Sequence, residues 1–301
     1  METEIDDNFF LACEKGIVSY AQEIYMRCRP NINSGEDFVF RHACRDGNLE
    51  MAKWLLSIPN SDVNINARND NAFRSACRYG HLEIGKWLLS LPNNNIDINA
   101  ENSKAFDVAC RNGHVEIAKW LLSMSTNNII SIDMDWLFMC CCLRGHLETA
   151  KWLLSASDNN KWNININARD DDVFATSCWA GQFEIVEWLL SLHNNNIDIN
   201  RLRGYSHYPG FPDGYIKIIK LLVGVYKISN EPINKIFQGY RSIVTVNEEL
   251  VKYLFDNCYY PTNDNMIYGY VEYKRKEVAA LDKIVGGSYL LSDLWKIVYS
   301  Y

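Results

Sequence analysis

No run of apolar residues approaches the roughly 18–20 needed to cross a bilayer, so the sequence offers no helical membrane span. Basic charge is not in excess either. Across 301 residues, 30 Lys and Arg stand against 37 Asp and Glu, a net charge of -7 with a pI near 5.4. That balance argues against a nucleic-acid partner, because neutralising phosphates takes a basic surface. The opening stretch METEIDDNFF is acidic and lacks the charged-then-apolar layout of a signal peptide. Ten cysteines are present, yet they form no dense framework and no pair has the C-x-x-C spacing of a zinc or redox site. Free thiols in a reducing compartment are therefore expected, the cytoplasm first and the nucleus second. A glycine-rich nucleotide loop, a nucleophile elbow and paired catalytic carboxylates are also missing. The sequence leads to the expectation of a non-enzymatic chain without metal or cofactor.

What the chain does have is a repeat. Gly16, Gly47, Gly80, Gly113, Gly145, Gly181 and Gly214 follow one another at spacings of 31, 33, 33, 32, 36 and 33. Phe9, Phe40, Phe73, Phe106, Phe138 and Phe174 each stand seven residues before one of these glycines, and His207 takes that place before Gly214. A fixed period near 33 points to stacked units that cannot bury their apolar faces alone. Each unit reads as two short helices. In the third, Phe73, Ala76 and Cys77 share one face of a helix running from Phe73 to Tyr79. Gly80 stops that helix. A second helix opens near His81 with Glu83 in its first turn and carries Leu82, Ile84, Trp87, Leu88 and Leu89 as its apolar set. The Asn- and Ile-rich link that follows holds Ile96–Asn99 (IDIN), which is expected to be extended and to pair in a hairpin.

The stretch CRYGHLEIGKWLLS followed by DINA resembles the ankyrin repeat. The resemblance covers Phe40 to about Asn200, extends over residues 9–39, and continues in GYIKIIKLL at Gly214–Leu222 and NEELVKYLFDN at 247–257. It implies an all-α ankyrin-repeat solenoid, helix-turn-helix units joined by hairpin loops, with about seven or eight repeats. Residues 1–39 form an N-terminal capping repeat, 40–206 the regular repeats, and 207–301 divergent repeats ending in a helical cap. The Trp-Leu-Leu-Ser units and Asn/Ile-rich loops resemble those of ankyrin proteins of giant DNA viruses of amoebae, which implies a host-protein partner in the host cytoplasm. One departure stands out. Where the family opens its first helix with Thr-Pro-Leu-His, this chain has Asn71–Arg74 (NAFR) or Lys104–Asp107 (KAFD), and Asn71 is expected to cap the helix instead.

The repeats also decide between chemistry and packing. Cys77 lies four residues before His81, a spacing that suits zinc or a nucleophile–base pair. The same two places hold Cys13 and Ile17, Cys44 and Asn48, Cys110 and His114, Cys142 and His146, Cys178 and Gln182. An Ile, Asn or Gln replaces neither a zinc ligand nor a general base, so the cysteines read as small core residues and the histidines as backbone hydrogen-bonders. Cys140, Cys141 and Cys142 point about 100° apart on a helix and cannot share one ion. Trp54, Trp87, Trp120, Trp152 and Trp188 recur as packing between units.

The resemblance implies that first helices and hairpin tips line a concave binding surface. On the first helices the places outside the Phe–Ala–Cys stripe carry Arg41 and Arg45, Arg74, Arg78 and Tyr79, Arg111, and Arg144, with Val108, Met139 and Cys140 among them. The row ends at Trp179. Arginine and tryptophan are enriched at binding hot spots. The expected partner is a protein with an acidic segment and an apolar anchor, bound by a monomer. Two alternatives are a substrate adaptor for a ubiquitin ligase, and an enzyme site in residues 201–301 built from His207, Asp213 and Cys258, which lack any recognisable spacing. Asn66, Asn99 and Asn200, seven residues before the next unit's Phe or its equivalent, sit in a context like that of hydroxylated ankyrin asparagines. The competing reading is an asparagine bonding its own hairpin.

Overall fold

The computed structural model describes residues 2–92, 94–125, 132–157, 162–192, 197, 213–226 and 253–254. Among these residues the secondary structure is helical, without a strand. The chain divides into two compact units, Met1–Ile164 and Asn165–Tyr301.

The first unit is a series of helix pairs. These are α1 (Glu2–Glu14) with α2 (Val18–Cys28), α3 (Ser34–Arg45) with α4 (Leu49–Ser57), α5 (Ala67–Tyr79) with α6 (Leu82–Ser90), α7 (Ala100–Arg111) with α8 (Val115–Met124), and α9 (Met134–Leu143) with α10 (Leu147–Ser157). Helices this short are marginal alone, so each needs an apolar face to bury. First helices pack on first helices through α1, α3, α5, α7 and α9, and second helices on second helices, α2 on α4 and α8 on α10. The expected stripe is buried throughout: Phe40, Phe73, Phe106 and Phe138 are at most 1% exposed, as are Cys44, Cys77, Cys110 and Cys142. Small residues stand where first helices touch, with Ala43, Ala76 and Ala109 fully buried. The tryptophans are inter-repeat packing, each meeting the phenylalanine of the preceding repeat. Ring centroids lie 6.4 Å apart for Phe9–Trp54, 6.3 Å for Phe40–Trp87, and 6.2 Å for Phe73–Trp120 and Phe106–Trp152.

The turn between the two helices of a pair is also an inter-repeat joint. Gly80 has φ 90° and its preceding helix closes as a Schellman turn, the His81 N–H donating to the Ala76 carbonyl at 2.9 Å. A Cβ on Gly80 would lie 2.8 Å from ring atoms of His114 in the next repeat. His114 Nε2 donates to the Arg78 carbonyl at 2.9 Å, two residues before that glycine. The joint recurs. His81 lies against Gly47 with Nε2 on the Arg45 carbonyl at 2.9 Å, His146 against Gly113 with a bond to the Arg111 backbone, and Asn48 against Gly16 with its amide on the Glu14 carbonyl at 3.1 Å. A carbonyl has no proton to give, so His81 and His114 each carry a proton on Nε2.

Three local expectations need correction. The first helix starts earlier than Phe73, because Arg68, Asn69 and Asp70 form a left-handed turn ahead of it, with φ between 53° and 60°. The same turn occurs at Gly35–Asp37 and Glu101–Ser103. Left-handed backbone costs roughly 1–2 kcal/mol per ordinary residue, and local bonds offset it. The Asn66 amide donates to Asp70 Oδ1 at 2.7 Å, the Asn33 amide to Asp37 Oδ1 at 2.8 Å, and buried Asp37 also accepts the Asn64 N–H at 3.1 Å. The Ile96–Asn99 stretch forms no strand; its Asp97 side chain accepts the Asn99 N–H at 2.9 Å, an Asx turn repeated by Asn64 on the Asn66 N–H. Asn71 likewise makes no cap bond, since its Oδ1 accepts Arg41 Nη1 at 3.3 Å across the repeat.

The second unit contains α11 (Ala168–Trp179), α12 (Phe183–Ser191) and α13 (Asp213–Gly224). Phe174, Cys178 and Val186 form its core with Tyr215, Ile218, Ile219, Leu222, Val223 and Leu254. The helix expected at Gly214–Leu222 is therefore present. Most of the segment expected to form the C-terminal cap lies outside the described residues.

The joint predicts a pH dependence. Burial lowers the pKa of His114 and of His146 below the ordinary value of 6.5, against the opposing pull of their backbone bonds, and neighbouring His81, His114 and Arg144 add to the depression. The unfolded chain then binds more protons, so their share of stability is full above about pH 6.5 and is lost as pH falls through the lower native values. Urea unfolding from pH 7 to 5 should show a falling midpoint. The H114N/H146N variant, with the residue that Asn48 supplies naturally, should fall less.

Candidate protein-binding face

The C-terminal halves of α3, α5, α7 and α9 carry the first-helix residues that the sequence singled out. Their placement divides the expected row sharply. Arg41 is a structural residue, only 6% exposed. Its Nε donates to the Glu36 carbonyl at 2.8 Å and its Nη2 to the Gly35 carbonyl at 2.9 Å, so the guanidinium closes the left-handed turn below it. The helix-wheel reading misplaced it because that turn folds back over the side chain. Val108, Met139 and Cys140 are also buried, at 7%, 8% and 6% exposure, where the stripe reading left them outside. In α9 every residue from Leu137 to Cys142 is buried, which the run MCCCL announces by having no polar position.

Of the remaining arginines, three are already matched with acids. Arg45 holds Asp46 through both Nε and Nη2, at 2.6 and 2.9 Å. Arg74 pairs with Glu101 of the next repeat, and Arg111 with Asp107 at 2.7 Å. Partly exposed pairs of this kind add little stability, but they cancel the charge that the sequence appeared to concentrate. Arg78 and Arg144 differ. Both are exposed, and neither has a carboxylate within ion-pair distance among the described residues. The Arg78 guanidinium lies 5.8 Å from the ring centroid of Tyr79, itself 49% exposed. Arg144 donates Nη1 to the Arg111 carbonyl at 3.1 Å. Trp179, half-buried at the end of α11, belongs to the second unit.

Two aromatic residues escaped the sequence reading. Phe38 is 41% exposed and Trp136 43%, both two residues before their repeat's core phenylalanine. The signal was present, because the same position holds Asn71 and Lys104 in the intervening repeats.

The thiols are packing elements. Burial pushes Cys13, Cys77 and Cys141 up to about 12, and Cys44, Cys110, Cys142 and Cys178 well above the usual thiol range, so none is a thiolate near neutrality. Cys141 donates its S–H to the Cys110 carbonyl at 3.3 Å. Among the described residues no three His, Cys, Asp or Glu groups assemble to hold a metal ion, and no helix is long and apolar enough to cross a membrane. His207 and Cys258 lie outside the described residues, and Asp213 is the first residue of α13. Asn66 is engaged with Asp70, Asn99 Oδ1 accepts the Ser125 hydroxyl at 3.3 Å, and Asn200 lies outside the described residues.

A family model for ankyrin repeats matches the chain in three copies, over residues 9–102, 40–135 and 106–203. The chain belongs to the ankyrin-repeat family. No curated protein matches it. Ankyrin repeats generally mediate protein–protein interactions, and the family is typically non-enzymatic. Here the ankyrin framework presents two cations with no carboxylate within ion-pair distance among the described residues, one beside an exposed tyrosine, on a face where Arg45, Arg74 and Arg111 are matched by acids.

The two kinds of arginine separate experimentally. Arg41→Ala leaves the Gly35 and Glu36 carbonyls and Asn71 Oδ1 without their donor and should cost about 2 kcal/mol in urea unfolding. Arg78→Ala should stay within about 0.5 kcal/mol of wild type.

Proposed function

We propose that this ankyrin-repeat chain is a non-enzymatic binding module that holds a protein partner on the face formed by the C-terminal ends of α3, α5, α7 and α9. The observation that carries the reading is the Arg78–Tyr79 pair: a cation lacking a carboxylate, set against an exposed aromatic ring. Arg and Tyr are the side chains most often found at hot spots. The fold supplies rigidity, since the Arg78 carbonyl is itself tied to His114 of the next repeat. A preordered side chain loses less freedom on binding. The partner's matching feature is a carboxylate for Arg78 and another for Arg144. The sequence-based picture of a continuous basic stripe is thereby narrowed to two points.

Charge reversal tests this. Cross-linking and mass spectrometry in cells expressing wild-type chain or R78E/R144E should show the partner's yield reduced about tenfold or more in the variant. Its circular dichroism should remain unchanged. Equal capture by a folded variant would refute the reading.

A further inference from the structure

A cleft of about 270 Å³ opens between α1 and α3, lined by Phe10, Cys13, Phe38 and Val39 together with Glu14, His42 and Arg45. Its volume is below the roughly 300–1,000 Å³ typical of small-molecule sites, a size suited to one side chain. The walls are preset. Phe38 meets Phe10 edge-on at 6.2 Å and lies 3.8 Å from the His42 ring, centroid to centroid. The cleft is also chemically quiet. Burial holds the Cys13 thiol at about 12, and burial together with Arg45 lowers the His42 pKa below its ordinary value, which favours the neutral ring. Arg45 has its charge matched by Asp46, with Glu14 adding to the local negative field, so the edge of the cleft offers no spare cation. The spare cation is Arg78, at the position equivalent to Arg45 in the next repeat, and Tyr79 beside it lies within electrostatic reach of Arg45.

We propose that this cleft is the anchor socket of the binding face: it takes one bulky apolar side chain from an extended segment of a protein partner, whose carboxylate about four residues further on pairs with Arg78. The spacing follows from the repeat. Packed helices lie about 8–10 Å apart, so Arg78 on α5 is about 12–15 Å from a cleft centred between α1 and α3, and an extended chain advancing about 3.3 Å per residue covers that in about four residues. The occupant is a partner chosen by charge and shape together, because the aromatic walls suit an apolar side chain, Glu14 repels an acid at the cleft itself, and the next repeat carries Arg78 with no carboxylate within ion-pair distance among the described residues. The inference rests on the protein-binding reading above and adds the partner's local sequence pattern.

Phage display of random linear peptides on the full chain tests it without knowledge of the natural partner. Selected sequences should carry a large apolar residue followed about four positions later by Asp or Glu. Phe38→Asn, which installs the residue found at the equivalent Asn71, should reduce their recovery at least tenfold, and Phe38→Ala should do the same. R78E should replace the acid at that position with Lys or Arg. Recovery that is unchanged in both Phe38 variants, selection with no fixed spacing, or no selection at all would overturn the socket. Loss with R78E/R144E but not with the Phe38 variants would uphold the binding face and overturn the socket alone. A wild-type dimer that Phe38→Asn dissolves would assign the cleft to a second copy and overturn the proposal as well.

Discussion

The side chain that follows Gly47, Gly80, Gly113 or Gly145, an amide in the first case and an imidazole in the other three, lies against the glycine that ends the previous repeat's first helix, with no room between them for a Cβ. Its ring or amide nitrogen donates to a carbonyl two residues before that glycine. One residue thus caps a helix that belongs to its neighbour. The glycine is needed twice, for its left-handed φ and for the approach of the next repeat. The Phe–Trp contacts then act on helices already held in register, each tryptophan covering the preceding repeat's phenylalanine. Stability in such an array is a sum of weak units and their interfaces, and this joint makes the interface specific.

Much of this was legible in the sequence because the repeats are internal replicates. The Cys–His spacing looked like a site until Asn48 and Gln182 appeared at the histidine position, which leaves packing and hydrogen bonding as the shared role. The structure shows Asn48 making the same type of bond as His81. The left-handed turns were not legible. Asn69 and Asp70 tolerate left-handed backbone, but the local bond from Asn66 to Asp70 that fixes the turn is a side-chain contact that hydrophobic periodicity does not read. Arg41 was misread for the same reason, since only that turn's geometry brings the Gly35 and Glu36 carbonyls within reach of its guanidinium. A periodicity argument identifies faces and cannot identify what folds over them.

The binding face shows why arginine counts alone mislead. Six arginines align in sequence, yet one is buried in its own repeat and three are matched by Asp46, Glu101 and Asp107. Two of those acids lie in the same segment as their arginine and one lies a repeat away, so only the Arg74 pair depends on the stacking itself. What is left for recognition is sparse: Arg78 with Tyr79, Arg144, and an aromatic cleft that arises where Phe38 replaces the polar residue of other repeats. Sparse, rigid features on a repetitive background are the usual way in which a binding surface becomes selective.

The dependence of the array on the glycine–imidazole joint is tested most directly by a double-mutant cycle of Gly80→Ala and His114→Ala in urea unfolding. Gly80→Ala alone should lose the roughly 1–2 kcal/mol of left-handed strain and a further steric cost against His114. In the His114→Ala background the steric part should vanish, giving a coupling of about 1 kcal/mol or more. Additivity to within about 0.3 kcal/mol would mean that the two residues act independently, and would contradict the account.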